Sequence, residues 1–224
     1  MRNVKFRKIY YIVLTILIFL FFVRDCELRN RGYVNIKLVD NPSEILVLVN
    51  KQNRLLASYV PDDLLTLDIK YSNTDKKLRK DAAISFEILS RDALVLGYRI
   101  VAISAFRDFD YQKRLYNYYV EEKGKKYADN CSARAGHSEH QTGLAVDVEG
   151  SNHDYNEFEE TIEFEWMSKN AYKYGFILRY PKGKEKITGF KYEPWHYRYV
   201  GVDVATYIFE NNLTLEEYIE KNKE

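Results

Sequence analysis

Ser138-Glu139-His140-Gln141-Thr142-Gly143-Leu144-Ala145-Val146-Asp147-Val148 is the stretch on which the fold turns. From Leu144 the residues alternate as in a half-buried strand. Leu144, Val146 and Val148 go to one face, and Ala145 and Asp147 to the other. Gly143 permits a sharp turn just ahead of the strand. A turn running into a strand can set His140 beside Asp147. One imidazole nitrogen and one carboxylate oxygen make half of the ligand set of a catalytic zinc centre.

The other half must come from elsewhere in the chain, and Glu193-Pro194-Trp195-His196 offers it. His196 can serve as the third ligand, which leaves a coordination position open. Glu193, three residues earlier, can serve as the general base. Each residue alone has a plain reading: Asp147 as a turn cap, Trp195-His196 as packing, Glu193 as a surface charge. The coincidence of two segments carrying the residue types of an open zinc site favours the chemical reading. The chain has only four histidines. His137 competes as a ligand, but Gly136 and Gly143 bracket a loop rather than a helix, so it is expected beside the ligands or in the substrate cleft. His153, in Gly150-Ser151-Asn152-His153, reads as an exposed loop histidine.

Outward from these motifs, Ile45 to Val49 reads as a buried strand followed by a polar turn at 50–53. Leu78, Ala82, Phe86, Leu89 and Ala93 keep helical spacing across 76–96, with Gly97 as the stop. Residues 99–106 read as a strand, and a helix capped at Asp108 or Asp110 runs to Gly124. A helix over 160–174 ends at Gly175. Strands near 176–180 and 192–199 flank a turn at 181–184, and helices near 203–211 and 215–221 close the chain. Separate helices with hairpin-type strands predict an α+β fold: a small antiparallel sheet with flanking helices and the zinc site in a cleft on the sheet.

The 224 residues suffice for one domain with a real core. Lys plus Arg number 34 and Asp plus Glu 33, so there is no basic field to hold nucleic acid, and no such partner is expected. Cys26 and Cys131 cannot make a disulfide scaffold or a four-cysteine zinc knuckle, and both are expected free. Residues 1–23 differ from the rest. Arg2, Lys5, Arg7 and Lys8 precede an apolar run from Ile9 to Val23, which as a helix would span about 22 Å. The run ends Val23-Arg24-Asp25 without the small residues of a cleavage site, which favours an uncleaved signal anchor over a cleaved signal peptide. Residues 24–44 then form a charged tether and 45–224 the catalytic domain. The domain is expected outside the cytoplasmic membrane, held by a single transmembrane pass with its basic flank inside.

Taken together, Ser104-Ala105-Phe106-Arg107, Gln112, Ser138 to Asp147, Tyr174 to Pro181 and Glu193 to Gly201 resemble the VanY-type zinc D-alanyl-D-alanine carboxypeptidases, a family that also contains LD-carboxypeptidases of the LdcB type. The resemblance runs from about residue 45 to 222. It implies His140, Asp147 and His196 as ligands of Zn2+ and Glu193 as catalytic base. It also implies Arg107, Gln112 and Ser138 along the substrate cleft, with Arg107 stabilising an oxyanion or pairing the terminal carboxylate. The implied substrate is a peptidoglycan stem peptide losing its C-terminal D-alanine. Removal of D-alanine from tetrapeptide stems, cleavage of internal cross-bridges and a catalytically silent wall-binding module are the alternatives. The family's Pro-Gly ahead of the Ser-Glu-His is here Ala135-Gly136.

Overall fold

A computed structural model describes residues 32–223. The expected anchor, residues 1–23, and Cys26 lie outside the described residues. Among the described residues no helix is long and apolar enough to cross a membrane.

The described chain begins on the domain. Strand β1 (Lys37–Leu38) pairs in parallel with β2 (Asn53–Arg54), and the Tyr33 ring meets His137 edge-on at 4.8 Å. The part of the expected tether from residue 32 to 44 is therefore built into the domain by backbone pairing. The strand expected at 45–49 is absent. Val47 and Val49 are buried there as expected, but the carbonyls of Ile45 and Val47 accept hydrogen bonds from Arg198 Nη2 at 2.8 and 2.9 Å, and no strand pairs with the segment. A guanidinium fills the place of a neighbouring strand.

Strands β3 (Leu64–Thr66) and β4 (Lys77–Arg79) pair antiparallel and lead into helix α1 (Lys80–Val95). The helix starts later than the spacing predicts because residues 77–79 are spent on that pairing. The predicted stripe is sound: Leu78, Ala82, Phe86, Leu89 and Ala93 are all fully buried. Strand β5 (Val101–Ser104) follows, then α2 (Phe109–Lys123), capped by the Asp108 side chain accepting from the Tyr111 N–H at 2.7 Å. Gly124 separates α2 from α3 (Lys125–Cys131).

A single 3-10 turn, Glu139–Thr142, ends on Gly143 at φ 68°. The left-handed backbone of the turn favours glycine, and a Cβ there would also crowd Leu64 Cδ2 at 2.9 Å and Arg79 Cγ at 3.0 Å. Strand β6 (Ala145–Glu149) starts at once. Beyond it come a 3-10 turn (Tyr155–Glu160), helix α4 (Ile162–Asn170) and a 3-10 turn (Ala171–Tyr174) that stops at Gly175 with φ 80°. Strand β7 (Phe176–Leu178), α5 (Glu185–Thr188), β8 (His196–Tyr199), α6 (Val202–Glu210) and α7 (Leu215–Lys221) complete the chain. Strand β8 is shorter than the predicted 192–199 because Pro194 has no N–H for a ladder and the chain turns at 194–195.

The order of the main sheet is β5-β6-β8-β7, with every pair antiparallel. This is the α+β architecture the sequence predicts. Val146 and Val148 share one apolar cluster with Phe86 and Leu89 of α1 and Phe176 of β7, and Ile177, Val200, Ile208 and Leu215 tie α6 and α7 to the sheet in a second. Strand alternation then turns Asp147 away from the core.

Candidate active site

Two central strands deliver the first pair of side chains. Asp147 on β6 and His196 on β8 are direct cross-strand partners, and His196 Nδ1 lies 2.8 Å from Asp147 Oδ1. A register shift between Ala102 and Ser104 on β5 sets Ser104 opposite Asp147, a local irregularity of the kind that re-aims side chains beside sites. The 3-10 turn ahead of β6 brings in His140, whose Nε2 is 3.2 Å from Asp147 Oδ2. The two imidazole rings meet edge-on with centroids 5.0 Å apart. One donor atom from each of His140, Asp147 and His196 lies within 4.8 Å of the others.

Of the two remaining ring nitrogens, that of His140 is hydrogen-bonded and that of His196 is not. His140 Nδ1 is 2.7 Å from the Ala105 carbonyl, which fixes that nitrogen as the N–H and leaves Nε2 a lone pair. Nε2 of His140 is buried and makes no hydrogen bond. A dry, unpaired imidazole nitrogen aimed at a carboxylate and a second imidazole is the donor set of a zinc ion, and these residues fit one.

The electrostatics are those of a sealed cluster. Burial, helped by the nearby Arg107, pushes the His140 pKa down to about 4. Burial opposes the His196 proton too, yet the neighbouring Asp147 and Glu139 carboxylates hold that ring up at about 9. Asp147 is pushed up by burial but held well below the ordinary carboxylate range by the two imidazoles.

The cluster lies in a cleft of about 460 Å³, which Glu193, Arg107 and Ser138 also line. Glu193 is 7 % exposed, and burial pushes its carboxyl up to about 7 against the pull of His196, Lys191 and Arg107. Arg107 Nε is buried without a hydrogen-bond partner on the chain. Tyr155 and Trp195, ring centroids 5.1 Å apart, form an aromatic part of the wall.

Gln112 Nε2 donates to Ser132 Oγ at 3.2 Å and to the Ala133 carbonyl at 2.6 Å, which braces the part of the cleft wall that Ser132 and Ala133 form, while its buried Oε1 has no hydrogen-bond partner. His137 is not in the cleft or beside the ligands. Its Nδ1 bonds the Asn50 carbonyl at 2.8 Å, and burial lowers its pKa, so it ties the 3-10 turn to the N-terminal segment. His153 is an exposed loop residue 3.2 Å from Glu149, and Cys131 is a free thiol on the cleft wall.

Two residues that sequence reasoning passed over belong here. Tyr180 lies against His196 with ring centroids 4.9 Å apart. Glu139, fully buried, sits between Arg179 and Arg198, which hold its carboxyl below the ordinary range although burial pushes it up. A signal for Glu139 was present. Arg179, just after β7, and Arg198, within β8, interrupt otherwise apolar or aromatic stretches, and buried arginines require buried acids.

A His-Asp-His cluster at the floor of a cleft, with a buried glutamate beside it, defines a mononuclear metallohydrolase. The model of the VanY D-alanyl-D-alanine carboxypeptidase family matches residues 75–202, and the chain belongs to that family. It is 44% identical over 212 residues to YodJ of Bacillus subtilis (strain 168), a candidate carboxypeptidase, spanning 89% of this chain and 78% of YodJ. The solved LdcB LD-carboxypeptidase is 44% identical, with a TM-score of 0.79 over 85% of this chain and 92% of LdcB. A variant of the vancomycin resistance D,D-pentapeptidase VanY in complex with Zn(II) is 34% identical, with a TM-score of 0.67 over 78% of this chain and 98% of that one. The protein is a zinc carboxypeptidase.

Proposed function

We propose that this chain removes the C-terminal D-alanine from peptidoglycan stem peptides ending in D-Ala-D-Ala. The observation that carries the reading is the convergence of His140, Asp147 and His196 in a cleft that also holds a carboxyl group pushed up to about 7. His140, Asp147 and His196 would hold the zinc. Zinc, when bound, supplies Lewis acidity that polarises a carbonyl and brings the pKa of water toward ~7.

The chain's own residues do the rest. Glu193 takes a proton from the attacking water. Its raised pKa leaves it able to return that proton to the departing amine of D-alanine, because the ideal acid–base group titrates near the working pH. Arg107, with a guanidinium nitrogen unpaired in the cleft, offers a charged donor to the tetrahedral oxyanion or to the substrate's terminal carboxylate. Reading that carboxylate restricts cleavage to the chain end. Ser138 offers a hydrogen bond to a peptide group. Gln112 acts through the Ser132–Ala133 wall.

The LdcB likeness favours a second reading, removal of D-alanine from tetrapeptide stems. Defined pentapeptide and tetrapeptide stems incubated with zinc-loaded protein, with products identified by mass spectrometry, separate the two. Release of D-alanine from the pentapeptide is expected, abolished by a chelator and restored by zinc. Release from the tetrapeptide alone would reassign the enzyme to the second reading, and no release from either stem would leave a wall-binding module.

Residues 1–23 are proposed as an uncleaved anchor that holds the domain on the outer side of the cytoplasmic membrane, where stem peptides are made and remodelled. The basic cluster before the apolar run supports this orientation. Full-length protein in the membrane fraction, digested by protease added outside spheroplasts, is the expected result. Protection from that protease would overturn the orientation.

A further inference from the structure

Glu139 is sealed from solvent at 1 % exposure, and its two oxygens have different surroundings. Oε1 accepts from Arg179 Nε and from Arg198 Nη1, both at 2.8 Å. Each arginine is itself immobilised. Arg179 makes a two-pronged pair with Glu216 at the start of α7, at 2.8 and 2.7 Å, and Arg198 is held by the Ile45 and Val47 carbonyls. The carboxylate therefore cannot swing. Oε2 is left facing His196 Nε2 at 3.6 Å, and both atoms are buried with no hydrogen-bond partner.

A purely structural ion cluster would be satisfied through Oε1. A second carboxylate oxygen kept dry and bare is costly unless it receives a proton. His196 Nε2 is the donor that faces it. We infer that Glu139 is a positioning residue for His196: its Oε2 takes the Nε2–H, which fixes the tautomer and leaves the Nδ1 lone pair for the metal that His196 and Asp147, paired here at 2.8 Å, would share. The Tyr180 ring, tilted 32° against the imidazole at 4.9 Å, limits rotation of the ring. This inference rests on the reading of His196 as a zinc ligand. It extends the site through Arg179 to Glu216 on the C-terminal helix.

The test is zinc affinity of the folded, zinc-stripped domain, measured by competition with a chromophoric chelator, for wild type, Glu139→Gln and Glu216→Gln. Loss of a carboxylate that orients a ligating histidine typically weakens metal binding by ~10–100-fold, and that loss is expected for Glu139→Gln. Glu216→Gln loosens the same ion cluster one step further out. It is expected to lower the unfolding midpoint while leaving zinc affinity within about threefold, well short of the ~10-fold minimum for an orienting carboxylate. Equal weakening in both variants, or none in Glu139→Gln, would overturn the assignment. A wild-type chain that binds no zinc would instead sink the metal-site reading, and the assignment with it. Long-range 1H–15N NMR of zinc-loaded wild type needs no variant: the proton is expected on Nε2 of His196, and a proton on Nδ1 overturns the inference even if Glu139→Gln fails to fold.

Discussion

Glu193→Gln is expected to lower kcat for D-alanine release by ~10²–10⁴-fold, the range for loss of a general acid–base group, or about 3–5 kcal/mol of barrier. The substitution keeps the size of the side chain and its place on the cleft wall. What it removes is the ability to take a proton from water and give it back. Glu193 has the environment such a group needs: it is 7 % exposed, and burial pushes its pKa to about 7. A carboxyl with an ordinary pKa would be a weaker base and a poor proton donor to the leaving amine. Zinc content, measured by elemental analysis, should stay at one per chain, because Glu193 is outside the His140, Asp147, His196 cluster. The wild-type rate should also fall as pH drops below the Glu193 pKa, at or below about 7 because a divalent cation nearby favours the carboxylate. That acid limb should vanish from the residual activity of the variant. Full activity with stoichiometric zinc would remove Glu193 from the mechanism.

The parts of this fold legible in the sequence are those where one physical signal dominates. The stripe from Ala82 to Ala93 is buried because nothing competes with its helical period, Leu78 ahead of it is buried from a strand instead, and the alternation of 144–148 places Asp147 correctly because a one-residue slip would bury it. The convergence of His140, Asp147 and His196 was legible because donor types and an intervening glycine restrict the geometry. The failures occur where a polar side chain replaces backbone pairing. Ile45 to Val49 has the composition of a strand, yet the Arg198 guanidinium takes two of its carbonyls, a long-range bond with no local trace. His137 carries functional chemistry in its side chain but spends it on the backbone at Asn50. Residues 32–44 look like a tether by charge and join the domain through β1, whose partner is a two-residue strand too short to leave a pattern.

Arg198→Met is expected to cost about 3–5 kcal/mol of stability, the range for breaking a buried charged cluster by removing one partner. Against a typical domain total of ~5–15 kcal/mol this is a large fraction. Methionine matches the length of the stem but removes one of the two donors to Glu139 Oε1 and the Arg198 donors to the Ile45, Val47 and Tyr199 carbonyls. Arg179 still bonds Glu139, so the acid is not abandoned, but the 45–49 segment loses the bonds that stand in for a strand. Urea unfolding of both proteins in excess chelator reads the difference without a contribution from metal binding. A loss under ~1 kcal/mol would mean the segment is held by Val47 and Val49 packing alone, well short of the cost of a broken buried pair. Acid adds an independent check. The two arginines hold the Glu139 carboxyl below its ordinary range, so the folded state binds fewer protons there than the unfolded chain, whose glutamates titrate near ~4.3. The stabilisation is complete above that value and is lost as pH falls through and below it. With one arginine gone the folded carboxyl moves back toward the unfolded value. The stability gap between wild type and Arg198→Met should therefore begin to narrow below about pH 4 and go on narrowing as pH falls toward the low folded value of the wild type, as the cluster the variant lacks stops stabilising the wild type.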